Sequence, residues 1–341
     1  MKWIFFEATA PNKNNRLAFG ISSELAPDPK ALEWLDRQTS AGVRDISELE
    51  PAEGRKEDAR MTELFLGKPE PVEKIENHRI REGLSDIPVR VYWPKITGEQ
   101  ADKELYPMIV FFHGGGWVCG NLELYNEICA MLANRSESII ISVDYRLAPE
   151  HKFPTPLNDC YAATKWAFEN AKYLEGDQDT IVVAGDSAGG NLAAAVALMA
   201  KEKNGPLIAA QLLIYPVTDL TSDMTKYSKD KFGPSKEAME WFGRYYVKSD
   251  SEMKNPLVSP AYGDLRGLPR AIVVTAECDP LREQDLEFAK KLEQSGVKTL
   301  LLDYPGMVHG FMQLPSFFPN GREAIERVAA EVKKIYVENE M

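Results

Sequence analysis

Cysteine and histidine are scarce in this chain of 341 residues, four of each, and both shortages exclude chemistry. Cys119, Cys129, Cys160 and Cys278 lie far apart with no C-x-x-C pair. That argues against a disulfide framework and for separate buried thiols in a reducing compartment. His78, His113, His151 and His309 include no two at the spacing of a helix- or hairpin-borne metal site, so no metal is expected. Basic residues number 40 against 52 acidic ones, a formal charge of −12. A field of that sign repels phosphate backbones, and nucleic acid is not an expected partner. Long apolar runs are missing too. Trp3–Phe6 is stopped at Glu7, short of the about 7–15 residues of a secretory core, and no later run approaches the roughly 18 of a membrane helix. The expectation is a soluble cytoplasmic protein with no membrane span.

What is present is ordinary globular composition, 44% apolar and 27% charged. No repeat or low-complexity tract stands out. From Ser22 to Leu66 the chain is charged and helix-compatible, with sparse apolar positions at Leu32, Leu35 and Leu64 and punctuation at Pro27, Pro29 and Pro51. Such helices bury little alone and must lie on something. After Pro71 the grammar changes. His78–Arg81 and Pro88–Trp93, separated by Gly83, suggest an antiparallel hairpin. Continuous apolar strands at 108–112, 139–143, 181–184, 207–215, 271–275 and 299–304 then alternate with helices at 124–134, 160–170, 192–201, 285–294 and 322–337. This is the pattern of a mostly parallel α/β sheet with helices on both faces. About fifty residues between Tyr215 and Pro269 interrupt it, carrying one helix over 235–247 with an aromatic stripe of Trp241, Phe242, Tyr245 and Tyr246. Its excess over the sheet suggests that it covers a substrate.

Gly185-Asp186-Ser187-Ala188-Gly189 follows one of these strands and precedes a helix expected near Asn191. Strand, sharp turn and helix together make the setting of a nucleophile elbow, in which small neighbours let the backbone turn and expose the serine oxygen. The helix N-terminus behind it offers unpaired N–H groups to developing negative charge. His113-Gly114-Gly115-Gly116-Trp117 follows another strand. Three glycines cost backbone entropy, and acyl transfer supplies a reason: amides must approach a tetrahedral oxyanion with no side chain in the way. A phosphate loop would need a Lys-Ser/Thr ending, which is absent. His113 reads as a loop-orienting residue.

A serine nucleophile needs a base, and on this architecture it follows both nucleophile and acid in chain order; only His309 lies after Ser187. The acid must sit between them at the same sheet edge. Asp279, just past the strand at 271–275, is preferred. Glu277 is its rival, and Asp303 falls inside the last strand. The acid holds the imidazole tautomer and stabilises the imidazolium. Cys119 and Cys278 flank these motifs and read as small apolar fillers.

Together, His113–Trp117, Tyr145-Arg146-Leu147-Ala148-Pro149-Glu150, Gly185–Gly190, Asp279-Pro280-Leu281 and His309-Gly310-Phe311 resemble the hormone-sensitive-lipase-like (bacterial family IV) esterases of the α/β-hydrolase superfamily, from about Ile75 to the C-terminus. The resemblance implies Ser187, His309 and Asp279 as nucleophile, base and acid. It implies an oxyanion hole from the amides of Gly115, Gly116 and Ala188, with Gly114 shaping the turn. It also implies a helical cap over the sheet. The corresponding division is 1–70 as the N-terminal part of the cap, 71–216 and 257–341 as the catalytic domain, and 217–256 as the cap insertion. The implied activity is a cofactor-free carboxylesterase acting on short- to medium-chain acyl esters, and the resemblance implies a homodimer, as family members often dimerise. An amidase or peptidase with the same triad, or a non-catalytic small-ligand receptor on the same fold, are the alternatives. The segment up to Glu70 matches no part of the family pattern, so the resemblance does not reach the cap and substrate choice, while Arg282-Glu283-Gln284 is a slight variation that leaves the triad untouched.

Overall fold

Runs of five consecutive buried residues build the centre of the molecule. In the computed structural model, which describes residues 27–82, 85–96, 105–223 and 232–340, β3 (Met108–Phe112), β4 (Ile139–Val143), β5 (Val182–Asp186) and β6 (Ala210–Ile214) are buried at every position. Strands apolar on both sides need cover on both faces, and they pair in parallel with β7 (Arg270–Ala276) and β8 (Thr299–Tyr304). The hairpin of β1 (Lys74–Glu82) and β2 (Ser85–Trp93) joins antiparallel at the other edge. The eight-stranded order is β1-β2-β4-β3-β5-β6-β7-β8. Trp3–Phe6, Gly83 and residues 224–231 of the insertion lie outside the described residues.

Two apolar clusters flank the sheet. α3 (Asn126–Ser136) and α8 (Pro319–Glu340) pack on one face, and α4 (Thr155–Glu169), α5 (Ala188–Lys203) and α7 (Arg282–Gln294) on the other. α5 is alanine-rich and buried nearly all round, from Ala188 to Ala200. It ends on Asn204 in the left-handed conformation, a residue type that tolerates it. No helix among the described residues is long and apolar enough to cross a membrane.

Several boundaries depart from the sequence expectation. The hairpin strands are longer than 78–81 and 88–93. β6 begins at Ala210, since Leu207 is exposed and outside the ladder. α5 starts at Ala188 rather than near Asn191, because the chain turns directly from strand to helix at Ser187. In the N-terminal stretch, α1 (Pro29–Ser40) and α2 (Pro51–Glu63) bury Ala31, Trp34, Gly54 and Thr62, followed by Phe65, whereas Leu32 and Leu64 are exposed. The buried face is the one that meets the body of the molecule. α6 (Lys236–Tyr246) is capped by the Ser235 hydroxyl on the Ala238 N–H. Its Trp241 indole donates to the Leu49 carbonyl at 2.8 Å, so the two regions surplus to the sheet touch each other. Trp241 is also clustered with Val118, Cys119 and Ala148.

Candidate active site

β5 delivers Ser187 at φ 53°, ψ −119°, a conformation costing on the order of 1–3 kcal/mol that the surroundings must hold. They do so with backbone bonds. The Ser187 N–H donates to the Ile214 carbonyl at 2.9 Å, and its own carbonyl accepts from Asn191 and Val217. Gly185 and Gly189 are demanded by close approach: a Cβ on either would collide with the Phe112 carbonyl or with the opposing glycine backbone. The elbow thus packs directly against the end of β3, next to the triple glycine. α5 begins immediately behind Ser187, which leaves the Ala188 amide at the positive end of the helix without an intrahelical acceptor.

His309 arrives on the loop after β8 and Asp279 on the turn after β7. His309 Nε2 lies 2.9 Å from Ser187 Oγ, and its Nδ1 lies 2.7 Å from Asp279 Oδ2. Asp279 is buried, and its other oxygen accepts the Leu281 N–H at 2.8 Å. The His309 backbone N–H donates to the Phe232 carbonyl, and the Tyr215 ring stands 4.8 Å from the imidazole. Burial works against the imidazolium, but the Asp279 charge and hydrogen bond, with Asp186 beyond, outweigh it and raise the His309 pKa above its ordinary value. Glu277 accepts the Gly306 N–H at 2.8 Å and braces the loop that leads to His309. Asp303 pairs with Arg282. Neither of these two reaches the imidazole.

The glycine loop has its amides oriented from behind. The Gly114 N–H donates to Asp186 Oδ1 (2.8 Å) and to the Tyr125 hydroxyl (2.9 Å), so it is consumed in holding the turn and is no donor to a ligand. His113 Nδ1 bonds the Gly114 carbonyl at 2.7 Å while the ring stacks on Tyr145. Burial lowers the pKa of His113 to about 4, so it is neutral and orients the loop. The Gly115 carbonyl accepts from Val118 and Cys119. In a trans peptide the C=O and the following N–H point opposite ways, so fixing the Gly114 and Gly115 carbonyls turns the Gly115 and Gly116 amides to the other side. Neither amide has a partner among the described residues.

A cavity of about 250 Å³ opens over these groups, lined by Ser187, His309, Gly115, Gly116, and Trp34, Met61, Val217, Met239 and Phe242 from the surrounding elements. The Phe242 ring lies directly on Gly116, where a side chain would overlap it. Sequence reasoning missed two carboxyls here. Asp186 was legible as the residue between glycine and serine in the elbow motif; burial pushes it up to about 6, offset by the Tyr125 hydroxyl, His309 and the Gly114 amide. Asp58, on α2, lines the cavity and has no motif around it. His78 and His151 lie elsewhere, and the described residues hold no group of three or more ligands suited to a metal.

The chain has counterparts among known proteins. A profile described as α/β hydrolase fold matches residues 109–313. The carboxylesterase NlhH of Mycobacterium tuberculosis is 38% identical over 276 residues, covering 77% of this chain and 85% of that protein. An arylesterase of Saccharolobus solfataricus is 36% identical, covering 91% and 99%. The solved structure of a hyperthermophilic esterase from the archaeon Pyrobaculum calidifontis superposes with a TM-score of 0.83 at 36% identity, over 92% of this chain and 100% of that one.

Proposed function

As the chain belongs to the hormone-sensitive-lipase-like α/β-hydrolases and is a carboxylic ester hydrolase, we propose that it cleaves short- to medium-chain acyl esters through an acyl-enzyme on Ser187. The observation that carries this reading is the unbroken chain Ser187 Oγ, His309, Asp279, with contacts of 2.9 and 2.7 Å. His309 Nε2 takes the serine proton as Oγ attacks the ester carbonyl. The oxyanion is held by the Gly115, Gly116 and Ala188 amides, each worth about 2.7–4 kcal/mol in such a site. The imidazolium, stabilised by Asp279, then protonates the departing alcohol. Water activated by the same imidazole releases the acid.

The compact cavity supports short to medium acyl groups, since Phe242 closes it over the glycine loop. The contact of α6 with the 3-10 turn at Ile46–Glu48 and with Leu49 supports a division in which residues 1–70 and 217–256 cap a catalytic body of 71–216 and 257–341. Replacing Ser187 with Ala should abolish hydrolysis of p-nitrophenyl butyrate while the far-UV spectrum and melting temperature stay unchanged. Persisting turnover, or turnover of amides in preference to esters, removes the reading.

A further inference from the structure

α2 belongs to neither the sheet nor the glycine loop, yet two of its side chains, one helical turn apart, face the loop. Arg55 Nε donates to the Val118 carbonyl at 2.8 Å, and its Nη2 donates to the Ala148 carbonyl at 2.8 Å. The guanidinium is itself oriented by both oxygens of Glu150. Three residues on, Asp58 lines the same cavity as Gly120, with the Gly120 backbone N–H on the side of its carboxyl. Residues at i and i+3 share one helix face, so both side chains come from a single surface of α2. Asp58 is half-buried on the cavity wall, with Asp186, Cys119 and Tyr125 as its titratable neighbours.

The grip falls where it can govern the amides. Val118 and Cys119 are the two residues whose N–H groups hold the Gly115 carbonyl, and that carbonyl sets the direction of the Gly116 N–H. Asp186 and Tyr125 anchor the start of the loop from beneath through Gly114. The Ala148 N–H holds its far end through the Trp117 carbonyl at 2.9 Å, and Arg55 adds a hold on the same two segments from α2. Two of the glycines concerned, Gly115 and Gly120, have φ of 102° and 89°. Glycine in that region resists displacement weakly, so the external contacts decide where the segment sits.

We propose that Arg55 and Asp58 are positioning residues for ester hydrolysis, fixing the 113–120 loop so that the Gly116 amide faces the oxyanion. The proposal rests on the acyl-enzyme reading above. It makes α2 part of the apparatus that aims the amides as well as a wall of the pocket. A misplacement of about 1 Å in such a group costs on the order of a hundredfold in rate. Because the oxyanion exists only along the reaction path, the loss falls on kcat and spares KM.

The test compares Asp58→Ala, Asp58→Asn and Arg55→Lys with the parent on p-nitrophenyl butyrate, alongside affinity for an aryl trifluoromethyl ketone as a mimic of the tetrahedral adduct. Asp58→Ala should lower kcat by about ten- to a hundredfold, with KM changed less than about twofold. Asp58→Asn keeps an oxygen for the Gly120 N–H and should retain most of the rate. Arg55→Lys loses the fork and should fall between them. Ketone affinity should fall in step with kcat/KM. Equal losses in the Asn and Ala variants, a loss confined to KM, or unchanged ketone affinity overturns the proposal. If Asp58→Ala does not fold, the Arg55→Lys and Asp58→Asn pair decides by the same criteria. Ser187→Ala run in parallel separates the two levels: an active Ser187→Ala defeats the acyl-enzyme reading, whereas an inactive one beside a fully active Asp58→Ala defeats only this inference.

Discussion

Asp186 Oδ1 accepts the Gly114 N–H at 2.8 Å, while its Oδ2 accepts from the Tyr125 hydroxyl at 3.0 Å. The residue before the serine therefore holds the glycine loop, two segments that meet across β3 and β5, 72 positions apart in sequence. The same carboxyl contributes to raising the pKa of His309. A buried acid that pins one end of the loop and also favours the imidazolium links two parts of the proposed mechanism.

Asp279→Asn keeps the side-chain shape but offers an amide where the His309 Nδ1–H needs an acceptor. In a triad, that exchange costs about 10⁴ in kcat by favouring the wrong tautomer. A loss of about that size with an unchanged melting curve is expected in steady-state assays. A loss below tenfold would mean that Asp279 does not orient the imidazole.

His309 must be neutral to accept the serine proton. Its pKa is raised above the ordinary 6.5, so kcat/KM should fall on the acid side with a midpoint above that value. Removing the Asp279 charge takes away the largest raising contribution and leaves burial, which lowers the pKa. The residual activity of Asp279→Asn should therefore titrate at lower pH than the parent. A midpoint that stays fixed in the variant contradicts the assignment.

Phe242 lies on Gly116 and lines the cavity. Phe242→Ala should enlarge the space above the loop and raise the ratio of kcat/KM for octanoyl over butyryl nitrophenyl esters, by roughly tenfold if one or two methylenes gain a contact. An unchanged ratio across the chain-length series would show that the acyl chain runs elsewhere.

Asp285 on α7 is fully buried with neither oxygen in hydrogen-bond geometry, and burial followed by the nearby Asp279 charge holds its pKa well above 3.8. The folded state thus keeps a proton that the unfolded chain releases, so this group destabilises the fold progressively as pH rises above its unfolded value. Asp285→Asn removes that dependence. Its stability relative to the parent should grow with pH by at most about 1.4 kcal/mol per unit through the window, read from urea melts at a series of pH values. A constant difference would show that Asp285 ionises normally.

Local sequence was enough for the elements whose signals are local. The unbroken apolar pentamers announced a parallel sheet, because only strands covered on both faces can be so uniformly apolar. Gly185–Gly189 and His113–Trp117 announced tight turns at strand ends, because their glycines answer steric demands set within a few residues. His309 stood out by elimination among four histidines. Choosing among Glu277, Asp279 and Asp303 was harder, since all three lie near the ends of adjacent strands. The turn at 279–281 aims one carboxyl at the imidazole, while Glu277 is spent on Gly306 and Asp303 faces Arg282. Arg55 and Asp58 carried no sequence signal at all. Their partners lie some sixty residues away or more, and only the docking of α2 brings an ordinary charged helix face onto the loop. What neighbours dictate through sterics and hydrophobic pattern was settled by the order of the amino acids; what depends on which distant backbone groups are left to be satisfied was decided by the packed tertiary structure.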